Sequence, residues 1–199
     1  MKRSVLSWLV MVLGLAGLMA YVGPTFLNVT SPPIKSSGQA LIGGSFTLVD
    51  STGSTVTEKN FAGKHMLVFF GFTHCPDICP TSLLVTKNAL EKIGDKAEKL
   101  VPIFITIDPE RDTVDVVRRY VKNFGPQFVG LTGTVEQIKH VADAYKVYYQ
   151  KVEDKGSDID YVMDHSGFIY LMGPDGNYLA HFPHTISEQA LAEALRKHL

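Results

Sequence analysis

Apolar and polar positions change period several times along this chain of 199 residues, and each change marks a different element. Gly44 to Asp50 alternates, turns through Ser51-Thr-Gly53 and resumes at Thr55-Val56, the pattern of a β-hairpin. Asn60 to Gly63 reads as a brief turn or a single helical turn before a strand from Lys64 to Phe70. Leu83, Leu84, Ala89, Leu90 and Ile93 then recur at helical spacing up to Gly94. The continuous apolar run Val101 to Ile107, closed by Asp108-Pro109, predicts a buried parallel strand. Asp112 is expected to cap a helix carrying Val116, Val117 and Tyr120 that stops near Gly125-Pro126. A short strand at Phe128 to Leu131 follows, and Thr134 with Gln137 forms a capping box for a helix through Ala144.

In the last third, Tyr145 to Val152 alternates as a strand, and Glu153 to Asp160 is a polar loop. A strand, tight turn and strand run from Gly167 through Gly173-Pro-Asp-Gly176 to Phe182. The final helix, Ser187 to His198, has Thr185 three residues before Glu188 as a second capping-box pattern. Strands and helices interleave before a terminal hairpin, so the fold class is α/β: a mixed central sheet flanked by helices on both faces.

The N-terminus obeys a different rule. After Lys2 and Arg3, Ser4 to Val22 gives 19 positions without a charge, about 28 Å as a helix and close to the thickness of a bilayer core. Cleavage after Ala20 would put Leu18 where a small residue is needed, so residues 1–22 are expected to be a retained N-terminal transmembrane helix. Lys2 and Arg3 keep its start in the cytoplasm. Residues 23–42, with Pro24, Pro32, Pro33 and Gly38, form a linker, and residues 43–199 a single domain. The expected location is a bacterial inner membrane with the domain in the periplasm. A mitochondrial inner membrane is the alternative, disfavoured by the lack of an Arg- and Ser-rich presequence.

Composition adds an exclusion. With 45% hydrophobic residues and a formal charge of −1, the chain is globular and carries no basic stripe suited to nucleic acid.

The chemistry concentrates in Gly71-Phe-Thr-His-Cys-Pro-Asp-Ile-Cys-Pro80, which holds the only two cysteines. If a helix begins around Pro76, Cys75 is its N-cap and Cys79 lies one turn on, with thiolates favoured by the helix dipole. Pro80 suggests an unwound first turn that leaves Cys79 mobile. The pair suits either a disulfide or a soft metal such as Cu(I), whose third ligand would be an imidazole. Two inert buried cysteines are the bland alternative.

Among the histidines, His165 is the best candidate, because it precedes an apolar strand whose end is able to share an edge with the cysteines. Asp164 is placed to orient its ring. Spacing alone leaves a lone loop histidine more often simply solvated. His74 adjoins Cys75, but the backbone would have to fold back for both to bind one ion. His181 and His184, in His-Phe-Pro-His, are able to pair as a surface metal site, although Pro183 and their distance in sequence from the cysteines favour solvated residues, and His65, His140 and His198 have no visible partners. Asp108-Pro-Glu-Arg-Asp112 is either a capping and salt-bridge segment or a charged docking surface near the cysteines.

Three segments together, Gly71 to Pro80, Thr106-Ile-Asp-Pro-Glu-Arg-Asp-Thr113, and Asp164-His165 with Ile169 to Gly176, closely resemble the SCO/SenC family, over a region from about Ala40 to Leu199. Members of that family are membrane-anchored, thioredoxin-like copper proteins involved in assembling cytochrome c oxidase. The resemblance implies a thioredoxin-like fold, copper as Cu(I) or Cu(II), and Cys75, Cys79 and His165 as its metal ligands. It also implies cytochrome c oxidase subunit II as partner, with another periplasmic copper chaperone or a thioredoxin-like reductase as further partners. Ordinary thioredoxins carry Cys-x-x-Cys and a facing cis-proline. Here the cysteines are one residue further apart, and no proline occurs between Gln127 and Gly173. A peroxiredoxin would show a different surround for its peroxidatic cysteine. Catalytic roles for Cys75 and Cys79 apply only if the pair is redox-active, as in a thiol-disulfide oxidoreductase acting on subunit II. A sensor that transfers nothing is a third reading.

Overall fold

The structure is a computed structural model that describes residues 41–153 and 161–199. The expected anchor, most of the linker and most of the polar loop from Glu153 to Asp160 lie outside the described residues. Among the described residues no helix is long and apolar enough to cross a membrane.

Among the described residues nine strands and four α-helices follow one another. Strands β1 (Thr47–Asp50) and β2 (Thr55–Thr57) form the expected hairpin, and a 3₁₀ turn at Glu58–Phe61 leads into β3 (His65–Gly71). Helix α1 (Ile78–Ile93) and β4 (Leu100–Thr106) come next, then α2 (Val114–Lys122), β5 (Val129–Thr132) and α3 (Val135–Tyr145). Strands β6 (Tyr149–Glu153), β7 (Tyr161–His165), β8 (Phe168–Met172) and β9 (Tyr178–Pro183) precede α4 (Glu188–Arg196).

Seven of these strands make one mixed sheet in the order β2-β1-β5-β4-β3-β8-β9, and β6 and β7 pair as a separate two-stranded sheet. β3, β4 and β5 run parallel at its centre, where continuous apolar sequence is needed because both faces are covered. Phe69, Phe104 and Gly130 share one face, against which α1 sets Cys79 and α2 sets Val117 and Val121. Phe70 points to the other face and meets Tyr145 at the end of α3. Helices therefore cover both faces, a thioredoxin-like α/β arrangement.

Several boundaries differ from the sequence reading. Tyr145 ends α3 instead of opening a strand, since its side chain is buried against Phe70 and Tyr170, and Lys146 turns the chain in the left-handed conformation. Leu84 faces outward, while Leu83, Ala89, Leu90 and Ile93 are buried. Ser187, not Thr185, caps α4 by accepting from the Ala190 N–H. The capping box of Thr134 and Gln137 is present.

Candidate metal centre

The parallel pairing of β3 and β4 brings Gly71 beside Thr106, so the loops after both strands meet at one edge of the sheet. The Ile107 N–H donates to the Gly71 carbonyl at 2.8 Å, and there the chain turns away from β3. Helix α1 begins two residues later than the sequence suggests: Asp77 is its N-cap and the first intrahelical bond runs from the Thr81 N–H to the Asp77 carbonyl. Cys75 thus lies in the turn before the helix, its N–H bonded to the Phe72 carbonyl. Pro80 is the third helical residue, where its missing N–H is one of the helix's unpaired donors anyway. The first turn is intact, and Cys79 is fully buried.

Gly71 is needed for this arrangement. A Cβ there would fall 2.8 Å from Cys79 Sγ and 3.0 Å from both Phe69 and Phe104, all on the crowded inner face.

The two thiols are unequal. The Cys79 N–H points at Cys75 Sγ, 3.4 Å away. The Cys79 thiol hydrogen bond, then the backbone N–H groups of Cys79 and Asp77, hold the Cys75 thiol down at about 5 against the opposing effect of burial. The same sharing, with burial, pushes Cys79 far up. One proton therefore stays on the buried sulfur while the half-buried one is a thiolate. Alkylation of Cys75 in the reduced, metal-free protein is accordingly expected to stay fast from pH 8 down to pH 6 and to fall only as the pH drops through about 5. Mass spectrometry of iodoacetamide-treated samples would check this, and a midpoint near the ordinary thiol range of about 8.5 would contradict it.

His165 closes β7 and reaches this pair across 86 positions of sequence. Its Nδ1 lies 3.1 Å from the Ser166 carbonyl, which only accepts, so Nδ1 carries the proton and the lone pair of Nε2 is free. Nε2 faces Cys79 Sγ at 3.7 Å. A sulfur and a nitrogen bound to one trigonal ion at roughly 2.3 and 2.0 Å stand about 3.7 Å apart, so the separation suits a shared ion. Burial lowers the His165 pKa, which keeps the ring neutral and available. Phe69 and Phe72 meet the ring edge-on, with centroids 6.2 and 6.0 Å away. Asp164 is exposed; the Ser166 carbonyl orients the ring instead. Among the described residues no group of three or more His, Cys, Asp or Glu side chains forms a preformed cage.

Two residues singled out as a cap and a docking surface have internal roles. Asp112 is completely buried, and Thr113 takes the N-cap of α2. Its carboxylate accepts from the Thr73 N–H at 2.9 Å, the Thr73 hydroxyl at 2.5 Å and the Thr106 hydroxyl at 2.6 Å, tying the cysteine loop to the end of β4. Asp108, also buried, accepts from Arg111 Nε at 2.5 Å and from the Tyr161 hydroxyl at 2.8 Å. Arg111 in turn donates to the Tyr161 carbonyl and lies over its ring at 3.6 Å. The acidic segment thus fastens both the loop bearing the cysteines and the strand bearing His165. A carboxylate at the end of a buried strand was the available signal, although a sequence cannot say which loops it grips.

The remaining histidines separate clearly. His74 is exposed, with Nδ1 3.7 Å from Asp112. His140 contacts the Ser45 carbonyl, and His181 pairs with the Tyr178 hydroxyl. His184 is different, because its ring borders the same cavity of about 270 Å³ as Cys75 and His165.

The SCO1/SenC family model matches residues 34–199. The chain belongs to the SCO1/SenC family. A mitochondrial SCO1 homologue of Arabidopsis thaliana is 46% identical over 177 residues, covering 87% of this chain and 52% of that protein. The SCO1/SenC chain thus spans about half the length of that relative, whereas an SCO2-like protein of Rickettsia prowazekii, 40% identical, is covered to 86% and covers 85% of this chain. Among solved structures, copper-bound Arabidopsis thaliana ScoI is 46% identical with a TM-score of 0.75, matching 79% of this SCO1/SenC chain and 97% of its own. Copper-bound Bradyrhizobium japonicum ScoI is 44% identical with a TM-score of 0.72, over 79% and 99% of the two chains.

Proposed function

We propose that this protein binds one copper ion through Cys75, Cys79 and His165 and delivers it to the binuclear copper site of cytochrome c oxidase subunit II. The observation that carries this reading is the free Nε2 of His165 facing Cys79 Sγ at 3.7 Å, beside a Cys75 sulfur already held as a thiolate. Two thiolates and a neutral imidazole form a soft donor set suited to Cu(I). Copper in two similar solved structures supports the choice of metal. The complex would carry a net charge of −1, and the ion is cargo, so its ligands are replaced one at a time by those of the partner. Cys75 is the first to let go, being the more accessible sulfur.

The domain is proposed to face the periplasm from a bacterial inner membrane, with residues 1–22 as anchor. Mixing the copper-loaded protein with metal-free subunit II tests delivery. The expected result is stoichiometric appearance of copper in subunit II, and copper that stays behind would defeat the transfer reading.

A second reading is supported by the inequality of the two thiols. Cys75 as nucleophile would attack a disulfide between subunit II copper-ligand cysteines and release one of them as a thiol. Cys79 would then resolve the mixed disulfide, leaving this pair oxidised and the partner reduced by two electrons. That reaction has no need of His165. A His165→Ala protein that has lost copper yet still supports oxidase assembly would favour it.

A further inference from the structure

We propose that His184 is a fourth protein ligand, engaged when the site holds Cu(II). The inference rests on the copper reading above and extends it to the second oxidation state. Cu(I) is satisfied by the three donors already named, whereas Cu(II) prefers a tetragonal, four-donor environment rich in nitrogen and oxygen. A fourth group has to come from the open side of the site, the cavity of about 270 Å³ in front of Cys75 and His165.

Apart from those two residues, three side chains lining that cavity carry donor atoms: Asp77, Met163 and His184. Met163 is buried in the core, and its thioether is a soft donor poorly matched to Cu(II). Asp77 is exposed, with its carboxylate turned toward the Thr81 hydroxyl at 3.5 Å. His184 is half-buried, and among the described residues its ring makes no hydrogen bond. A ring without a partner at the mouth of a donor site is free to turn toward an incoming ion.

The sheet puts it there. Strands β8 and β9 pair with Phe168 opposite Pro183, and this register continues one step outward, where the His184 N–H donates to the Gly167 carbonyl at 2.8 Å. Gly167 is two residues from His165 on the same chain segment, so the two imidazoles flank one cavity. Gly167 also makes the room: a Cβ there would fall 2.7 Å from His184 Nδ1. Separation in sequence hides this, because 184 and 165 meet only through a hairpin register.

The test uses the full chain in detergent, with cysteines reduced, mixed anaerobically with one equivalent of Cu(II) and frozen for electron paramagnetic resonance. Wild-type protein is expected to show coupling to two nitrogens. His184→Gln and His184→Ala are expected to show one, with Cu(II) affinity lower by about tenfold or more, the scale at which even an orienting partner acts. Cu(I) retention in both variants stays at the wild-type level. A single coupled nitrogen in wild type, or two persisting in His184→Gln, overturns the proposal while leaving the three-ligand Cu(I) site intact. Failure of wild-type protein to bind stoichiometric copper in either oxidation state removes the underlying copper reading, and this proposal with it.

Discussion

Cys75→Ser, Cys79→Ser and His165→Ala proteins are each expected to lose tight Cu(I) retention. Changing a residue that only orients a metal ligand costs about 10–100-fold in affinity, so removing a ligand from a three-donor set should exceed that. The losses should differ in kind. Serine at 75 removes the thiolate that exists before copper arrives, whereas serine at 79 removes the buried proton-bearing sulfur and also disturbs the hydrogen bond that stabilises Cys75. Alanine at 165 leaves both sulfurs in place but opens a gap lined by Phe69 and Phe72. Copper remaining after competition with a chromogenic Cu(I) chelator and gel filtration is the measurement. Near-stoichiometric copper in the His165→Ala protein would remove that residue from the ligand set.

The second large effect belongs to a residue that touches no metal. Asp112→Ala is expected to destabilise the domain by roughly 3–6 kcal/mol, because it removes three hydrogen bonds to a buried carboxylate worth about 1.5–3 kcal/mol each, part of which water regains at the half-buried Thr73. The groups left without a partner are the Thr73 N–H and hydroxyl and the buried Thr106 hydroxyl. Asp112→Asn should cost much less. Its amide oxygen is able to keep the Thr73 N–H and Thr106 contacts, while its NH₂ donates to the Thr73 hydroxyl oxygen. Urea unfolding followed by circular dichroism measures both. Equal stability of the alanine variant and wild type would show that the loop is held by other contacts, with the Ile107 N–H bond to Gly71 the first to consider. Copper retention offers a separate readout: the alanine variant should retain copper less well even at temperatures where it is folded, since Thr73 stands two residues before Cys75.

Both expectations draw on contacts that differ in how far sequence reveals them. Strands β3, β4, β5 and β8, and helix α3 with its capping box, are legible because hydrophobic period and cap chemistry are local properties. The cysteine pair is legible for the same reason, four residues apart at a strand-to-helix junction. The errors cluster where tertiary burial overrides local preference. Tyr145 alternates convincingly with the residues after it, yet its ring belongs to the core and stays on the helix. Asp112 has the spacing of a cap, but complete burial makes its carboxylate worth more as an acceptor for two other segments.

By itself the sequence determined that this is an α/β domain with one cysteine pair and a family-specific histidine, because periodicity, cysteine count and motif are properties of neighbours along the chain. Only the tertiary structure decided which sulfur is the thiolate, which nitrogen of His165 is free, what Asp112 and Asp108 hold together, and that His184 shares the cavity. The contacts of Asp112 and Asp108 and the place of His184 depend on groups brought together across tens of residues, whereas the thiolate and the free nitrogen are set by close neighbours whose backbone geometry the spacing does not reveal. Proton sharing, burial and hydrogen-bond direction are settled by distances between atoms, not by their separation in the chain.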